Sequence, residues 1–357
     1  MRSQVDPVSL VDGWIEAGIV KGASLLVIQH GDVVLKHHAG LACFGARAGR
    51  VTDETVFLIA SITKTITATC FVQYVEEGKF WLDDRVVGFI SEFGRQGKEG
   101  TTFRHLLTHT SGLAEQVEGK DELRRREAAM EEFLDQIYRS RPCFPPGKGF
   151  QYSNCGFAVL ARAVELMDGR RFGEILHERV LAPLGMVNSA LGFDESWDAR
   201  LAEIEISAGK EREREFLNSR YWRGLGAPWG ALASNVDDLG RFAEAMRRGG
   251  ELHGVRILSG AAVDAMTRDQ LYHMPEFPAS AQTGPHGLAW RLRSEVCGEF
   301  FGDLTTPGSY GHTGATGTFL WVDPALEISA VFLANKEGGN DERRFARLSN
   351  AIVASCA

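Results

Sequence analysis

The sequence predicts a mixed α/β protein in which strands from both ends of the chain form one antiparallel sheet, with a mainly helical region inserted between them. Apolar runs rich in β-branched residues occur early, at 23–29 and 33–38, and again late, at 316–322 and 327–335. Between about residues 80 and 250, apolar positions recur at helical spacing in segments that Gly and Pro separate. Helices packed on such a sheet would bury the apolar faces of both.

The chain length indicates more than one lobe. At 357 residues the chain exceeds the usual size of a domain with a single core. We expect a discontinuous α/β lobe from residues 1–75 and 255–357, and a helical lobe from residues 76–254. A cleft between two lobes is a common place for a ligand site, so we expect the active site there.

The N-terminal elements follow from local pattern. Gly31 supplies the backbone freedom that a tight turn needs between two apolar runs. Gly78 stops a run of apolar residues at helical spacing, and Ser61 lies just before that run. We therefore expect, in order, a helix at 7–20, a hairpin of strands at 23–29 and 33–38, a short strand at 55–59 and a helix at 62–77.

The remaining elements are predicted in the same way. Residues 120–138 are helical in pattern and highly charged, which is typical of a solvated face rather than a binding patch. The turn between the last two strands contains Asp323 and Pro324. We expect a helix at 157–166, strands at 287–293, 316–322 and 327–335, and a final helix at 341–354.

Composition narrows the class of partner. The net charge of -8 and the pI near 5.7 do not suit nucleic acids or anionic membranes, which attract basic surfaces. We expect a small-molecule substrate and no cofactor. Acidic residues interrupt the first twenty positions, and the six cysteines form no Cys-x-x-Cys pair, so we expect a cytoplasmic protein with reduced thiols.

A Ser-x-x-Lys motif at Ser61 and Lys64 is the first chemical signal. Its spacing places both side chains on one face of a helix, so the amine can reach the hydroxyl. Free lysine has a pKa near ~10.4, and burial in a cleft would lower it enough for proton transfer at neutral pH. A second copy, Ser207 to Lys210, contains Gly209 and enters a charged stretch, so we interpret it as a chance match.

Two further segments carry groups that suit acyl transfer. Tyr152 and Asn154 stand at a junction from loop to helix, where the phenol could exchange a proton and the amide could contact a substrate. His312, Thr313, Gly314 and Ala315 belong to a Gly-rich segment that leads into a strand, whose open edge could bind a substrate through main-chain hydrogen bonds. Taken singly, each segment also suits an ordinary capped helix or turn.

The order and spacing of these three elements resemble those of the penicillin-recognising serine hydrolases. This family includes class C β-lactamases, D-alanyl-D-alanine peptidases and β-lactamase-fold esterases, with the signature Ser-x-x-Lys, Tyr-x-Asn and then Lys-Thr-Gly or His-Thr-Gly. The likeness spans about residues 20–335 and includes the segments 57–60, 105–113 and 230–239. It implies a β-lactamase-like fold.

The resemblance also implies roles for single residues. Ser61 would be the nucleophile, with Lys64 and Tyr152 as a coupled base pair that shares one titration. The backbone N–H groups of Ser61 and Ala315 would hold the oxyanion. The substrate contacts implied by the resemblance are Asn154, Gln116, His312, Thr313 and Gly314.

One residue departs from the class C pattern. Those enzymes usually have a lysine where His312 stands, and that permanent cation helps to hold a substrate carboxylate. Histidine has a pKa near ~6.5 and is largely neutral at pH 7, so it is a weaker anchor. We therefore expect a carboxylesterase acting on small acyl esters, with a D-amino-acid-specific peptidase or β-lactamase as the alternative.

Other classes fit less well. The chain contains no Gly-x-Ser-x-Gly sequence, which excludes the nucleophile elbow of α/β-hydrolases. His105 and His109 are four residues apart, but no Glu follows His105 and no third ligand is evident, so we expect no metal. A non-catalytic ligand-binding protein on the same fold remains as the alternative of a different class.

Overall fold

A seven-stranded antiparallel sheet forms the framework of the protein. The structure is a computed structural model that describes residues 6–45, 48–206, 209, 215–271, 284–293, 300–337 and 342–356. The strand order is β3-β2-β1-β12-β11-β10-β9, so strands from the two ends of the chain meet at the pair β1 and β12. The expected α/β fold class is thereby confirmed. The strands of this sheet are β1 (Gly22–Gln29), β2 (Asp32–Cys43), β3 (Gly49–Arg50), β9 (Arg291–Leu292), β10 (Tyr310–Gly314), β11 (Thr318–Asp323) and β12 (Ile328–Ala334).

Smaller elements and helices complete the described part of the chain. A three-stranded sheet has the order β4-β6-β5, from Phe57–Leu58, Leu232–Ser234 and Ala190–Leu191, and a two-stranded sheet pairs β7 (Glu251–Leu252) with β8 (Val255–Arg256). The α-helices are α1 (Pro7–Glu16), α2 (Thr63–Glu76), α3 (Phe103–Leu107), α4 (Lys120–Arg125), α5 (Met130–Arg139), α6 (Cys155–Asp168), α7 (Phe172–Leu176), α8 (Arg220–Leu225), α9 (Val236–Arg247), α10 (Gly260–Thr267) and α11 (Glu342–Cys356). Short 3₁₀ turns span Ala60–Ile62, Val86–Gly88, Ser91–Gly94 and Glu195–Trp197, and a π-helical turn spans His177–Leu181.

The central sheet is buried on both faces. Leu25 and Val27 of β1 pack in the cluster that includes Trp14 of α1 and Phe345 of α11. Leu26, between them, packs in the other cluster, on the side where α9 contacts β1 and β12. Successive side chains of a strand point to opposite faces, so a strand covered on both sides requires a continuous apolar run.

Most predicted elements are present, with differences at their ends. The first helix ends at Glu16, and the charged segment at 120–138 forms two helices because Glu127, between them, has a φ of 53°. The strand expected at 287–293 is limited to Arg291–Leu292, since Ala289 has a φ of 65° and cannot continue an extended backbone. Most of the chance motif at 207–210 lies outside the described residues.

The boundaries of the two lobes stay a prediction. Helix α9, which lies in the range expected for the helical lobe, packs against β1, β11 and β12 of the central sheet. In the described part of the chain, no helix combines the length and the apolar character needed to cross a bilayer.

The turn between β10 and β11 is bound to the segment that precedes Ser61. The hydroxyl of Thr316 donates to the carbonyl of Leu58 at 2.7 Å, and the hydroxyl of Thr318 donates to that of Ile59 at 3.0 Å. A Cβ on Gly314 would press on the Thr318 hydroxyl and the Ile59 carbonyl and would lie 3.1 Å from the Cβ of Ala60. These contacts join the N-terminal and C-terminal parts of the chain at one point.

The close approach at Gly314 gives a test by substitution. We expect Gly314→Ala to lower the free energy of unfolding by about 1–3 kcal/mol, since the new methyl group must displace a backbone carbonyl. Chemical denaturation measures this change. Gly308→Ala is the matched control, because a Cβ there meets no atom within 4 Å. Equal stability of the two variants would show that the contact is looser than described.

Candidate active site

Ser61 stands in a short 3₁₀ turn, Ala60–Ile62, that leads directly into α2. Ala60 has a φ of 48°, a left-handed backbone that costs energy for a residue with a side chain. The turn presents Ser61, half-buried, at the start of the helix. Its backbone N–H has no acceptor among the described residues, as expected for the first turn of a helix.

Lys64 lies one turn further along, fully buried beneath Ser61. Its Nζ is 3.0 Å from the Oγ of Ser61 and donates to the carbonyl oxygen of Trp229 at 2.8 Å. Burial lowers the pKa of Lys64 to about 7, against a smaller opposing effect of the Glu115 carboxylate. At neutral pH a large fraction of this amine is therefore unprotonated and able to accept a proton.

Tyr152 lies beside Lys64 and Ser61. The Nζ of Lys64 is 4.8 Å from the centre of its ring, and Ser61 is near enough to its hydroxyl to lower the pKa of the phenol by hydrogen bonding. Burial raises the pKa of Tyr152 above its usual range, more than the hydrogen bond to Ser61 lowers it. The resting group is thus a neutral phenol beside the hydroxyl.

The loop after α3 holds the Tyr152 segment in place. The N–H of Gln151 donates to the carbonyl of His109 at 2.8 Å, and the N–H of Ser153 donates to the Nδ1 of the same residue at 3.0 Å. The ring of His109 also packs against that of Tyr152, with 4.4 Å between their centres. His109 has a φ of 61°, a backbone conformation that turns its carbonyl and ring toward the same neighbour.

Asn154 offers an open acceptor beside these groups. The residue is 8% exposed, and its Oδ1 has no hydrogen-bond partner among the described residues. A buried amide oxygen without a partner is costly, since it has lost its water without a replacement. A donor on a bound substrate, such as an amide N–H, would satisfy it.

The segment that contains His312 and Ala315 approaches the site from the central sheet. His312 is buried at the centre of β10, and its Nδ1 donates to the carbonyl of Thr313 at 2.7 Å. Burial, helped by the charge of Lys64, holds the pKa of His312 well below its usual value, so the ring is neutral. Ala315 follows in the exposed turn, and its N–H has no acceptor in the part of the chain that the structure describes.

The site residues predicted from the sequence are distributed around one place. Ser61, Lys64 and Tyr152 are in direct contact, and the ring of His312 lies 6.3 Å from that of Tyr152. Thr313 and Gln116 are both half-buried, the latter in the loop after α3. Gly314, unlike these, is packed tightly against the segment before Ser61.

Sequence reasoning missed the carbonyl of Trp229 and the ring of His286. A backbone carbonyl leaves no signal in a sequence, because every residue has one. His286 is buried and packs near the site, with its ring 6.1 Å from that of His109 and 4.8 Å from that of Phe150. It stands in no motif, so only the fold identifies it.

The two histidines considered as metal ligands have other partners. The Nδ1 of His105 accepts the backbone N–H of Thr102 at 3.2 Å, as part of the N-terminal cap of α3. The Nδ1 of His109 accepts the N–H of Ser153. Across the described ranges, no three His, Cys, Asp or Glu side chains are grouped as a metal site would require.

A cavity of about 1180 Å³ opens elsewhere, among α5, α6 and α7. Arg162, Glu174 and Tyr221 are among its lining residues, whereas Ser61 and Tyr152 are not. The size of this cavity therefore does not indicate where the reactive groups lie. A hydroxyl, an amine that is about half unprotonated at pH 7 and a neighbouring phenol form an arrangement suited to nucleophilic catalysis, and this chemistry marks the candidate site.

Comparison with known proteins agrees with this geometry. The family model described as Beta-lactamase matches residues 10–355. Penicillin-binding protein 4 of Amycolatopsis lactamdurans is 30% identical, over 95% of this chain and 86% of that protein. Esterase EstB of Burkholderia gladioli is 28% identical, over 88% of this chain and 86% of that protein.

A solved structure shows the same fold. The crystal structure of a family VIII carboxylesterase superposes with a TM-score of 0.82 at 22% identity, covering 100% of this chain and 98% of the other. The family match spans nearly the whole sequence, including all three segments that meet at Ser61. The chain therefore belongs to the Beta-lactamase family and is a serine hydrolase of the penicillin-recognising type.

Proposed function

We propose that this protein is a carboxylesterase that hydrolyses small acyl esters through an acyl-enzyme on Ser61. The observation that carries the proposal is the buried amine of Lys64, 3.0 Å from the Oγ of Ser61 and with a pKa of about 7. A base with a pKa near the working pH combines the right protonation state with a sufficient driving force.

Acylation needs a base and an acid, and the site has one of each. The Oγ of Ser61 attacks the ester carbonyl while its proton passes to the neutral Lys64. Tyr152, a neutral phenol at rest, then donates its proton to the leaving alcohol and becomes a phenolate. The new ammonium group of Lys64 returns a proton to this phenolate. The ammonium lies 4.8 Å from the Tyr152 ring, so it stabilises the phenolate while it exists.

In the proposed mechanism, two backbone amides hold the oxyanion. The N–H groups of Ser61 and Ala315 belong to segments that the bonds from Thr316 and Thr318 tie together. Each lacks an acceptor among the described residues, so neither must break a bond to accept the developing charge.

Deacylation reverses the proton path. Tyr152 first passes its proton to Lys64; a water molecule in the place of the alcohol then gives a proton to the resulting phenolate as it attacks, and Ser61 leaves with a proton from the Lys64 ammonium. Tyr152 is half-buried whereas Lys64 has no exposed surface, so water reaches the phenol first. Tyr152 is therefore the group that activates the water.

The preference for esters rests on charge. His312 is neutral in its buried position, so it supplies no permanent cation for a substrate carboxylate. A β-lactam or a C-terminal peptide carries such a carboxylate, whereas a simple ester does not. The similarity to Esterase EstB supports the same choice.

A second candidate is amide hydrolysis by the same residues, as a D-amino-acid-specific peptidase or a β-lactamase. The buried, unpartnered Oδ1 of Asn154 favours it, because an amide N–H on the substrate would satisfy that acceptor. The similarity to a penicillin-binding protein also favours it.

A cytoplasmic location, the two-lobe division and the absence of a cofactor stay predictions.

A substrate panel separates the two candidates. We expect p-nitrophenyl acetate and butyrate to be hydrolysed with a burst of p-nitrophenol equal to the enzyme, followed by turnover. A chromogenic cephalosporin and D-alanyl-D-alanine peptides should react at least about tenfold more slowly in kcat/KM. Faster cleavage of D-peptides than of esters would favour the second candidate.

Ser61→Ala should reduce ester turnover by about 10³-fold or more, since the nucleophile is lost. Ser207→Ala is the matched control, because it removes the serine of the other Ser-x-x-Lys sequence. We expect this control to keep full activity. Equal activity of the two variants would reject Ser61 as the nucleophile.

The pKa of Lys64 predicts the pH dependence. Because burial lowers it to about 7, kcat/KM for a neutral ester should rise with unit slope up to about pH 7 and then level off. Because burial raises the pKa of Tyr152, we expect no fall in rate before about pH 10. Initial rates of p-nitrophenyl butyrate hydrolysis measure this profile. A rate that keeps rising to pH 10 would mean that Lys64 keeps an ordinary pKa.

A further inference from the structure

His109, in the loop after α3, is bonded to the residues on both sides of Tyr152. Its carbonyl accepts the N–H of Gln151 at 2.8 Å, and its ring Nδ1 accepts the N–H of Ser153 at 3.0 Å. The backbone N–H of Tyr152 itself has no acceptor among the described residues. The backbone position of the tyrosine therefore depends on bonds that its two neighbours make to one residue.

The ring of His109 also packs on the ring of Tyr152. The centres of the two rings are 4.4 Å apart, with an angle of 34° between their planes. The rings of Phe150 and Phe157 pack on the same imidazole, with centres 5.8 Å and 5.6 Å from its own. His109 is 1% exposed, so close packing leaves it little room to move. The phenol is thus in contact with an imidazole that is itself immobilised.

Only a neutral imidazole can make the bond to Ser153. An Nδ1 that accepts a hydrogen bond carries no proton, which places the ring proton on Nε2. Burial holds the pKa of His109 well below its usual value, and the charge of Lys64 acts in the same direction. The ring therefore stays an acceptor at neutral pH.

Other bonds attach the chain just after the tyrosine. The hydroxyl of Ser153 donates to the carbonyl of Ala114 at 2.9 Å, and the N–H of Asn154 donates to the carbonyl of Glu115 at 3.1 Å. These bonds do not involve His109, so the segment stays attached to the same loop when the imidazole is removed. The imidazole adds control over the position of the phenol relative to the reacting hydroxyl and amine.

We propose that His109 is a positioning residue that holds Tyr152 for its proton transfers, through the bonds it accepts on both sides of the tyrosine. This inference rests on the proposed esterase function and adds one residue to its machinery. In that mechanism Tyr152 donates its proton to the leaving alcohol, a step that needs a short and well-aligned hydrogen bond. A phenol displaced by about 1 Å loses on the order of 100-fold in the rate of this step.

The leaving group reveals whether the phenol is in place. An alkoxide is a strong base and must receive a proton as it departs, whereas p-nitrophenolate departs without one. Ethyl butyrate and p-nitrophenyl butyrate form the same butyryl-enzyme on Ser61. Misplacement of Tyr152 therefore slows the ethyl ester more than the nitrophenyl ester. A loss of stability alone lowers both rates by the same factor and leaves their ratio unchanged.

Three substitutions of His109 separate its contacts. His109→Phe keeps an aromatic ring but removes the Nδ1 acceptor. His109→Gly removes the whole ring and suits the left-handed backbone at this position, whose φ is 61°. His109→Asn keeps an acceptor, Oδ1, at the same number of bonds from the backbone, and asparagine also tolerates a left-handed conformation.

The measured quantity is the ratio of kcat/KM for ethyl butyrate to that for p-nitrophenyl butyrate, from titration of the released acid and from absorbance. We expect this ratio to fall by about 10- to 100-fold in His109→Phe and His109→Gly, since the general acid is displaced. In His109→Asn the ratio should stay within about threefold of that of the unchanged protein, because Oδ1 accepts the N–H of Ser153.

His105→Phe is the matched control. The Nδ1 of His105 also accepts a backbone N–H, that of Thr102 at 3.2 Å, but this bond belongs to the N-terminal cap of α3. The substitution thus removes the same kind of bond from a nearby position without releasing the Tyr152 segment. We expect it to keep the ratio of the unchanged protein.

An unchanged ratio in both His109→Phe and His109→Gly would overturn the inference, and so would a fall in His109→Asn as large as that in His109→Gly. An equal fall in His105→Phe would also overturn it, because the effect would then not depend on contact with Tyr152. Absence of Ser61-dependent turnover of p-nitrophenyl butyrate by the unchanged protein would instead reject the proposed function itself.

Discussion

The burial of the Lys64 amine against the hydroxyl of Ser61 is the constraint on which the site depends. Full burial removes the hydration of the ammonium and brings its pKa to about 7, and it comes from packing around nearly all of α2. The helix meets that requirement without unsatisfied hydroxyls: the Oγ1 of Thr65 donates to the carbonyl of Ile62, and that of Thr67 donates to the carbonyl of Pro228. The amine of Lys64 thus occupies a position in the core of the protein.

The site also depends on contacts between residues far apart in the chain. Ser61, Tyr152 and His312 come from three segments, and each is held by bonds to another segment. The serine turn is bound through Thr316 and Thr318, and the tyrosine through His109. The pairing of β1 with β12 brings the two ends of the chain together and gives these bonds a rigid base. Catalytic groups need such support, since small displacements weaken proton transfer.

A good part of this arrangement was predictable from the sequence. The spacing of Ser61 and Lys64 determines that both lie on one helical face, because an α-helix repeats every ~3.6 residues. The apolar runs predicted the strands at both ends of the chain, and the central sheet contains them. Predictions failed where one backbone angle decided the outcome, as at Glu127 and Ala289, whose positive φ values end or divide the expected elements.

The sequence by itself thus determined which side chains are candidates for catalysis and how Ser61 and Lys64 are spaced, since these depend on residue type and local geometry. Only the tertiary structure decided their environment. The carbonyl of Trp229 beside Lys64 and the neutral state of His312 both depend on what packs nearby. Hydration, dielectric and distance are properties of the folded chain, because they arise from residues that are remote in sequence and adjacent in space.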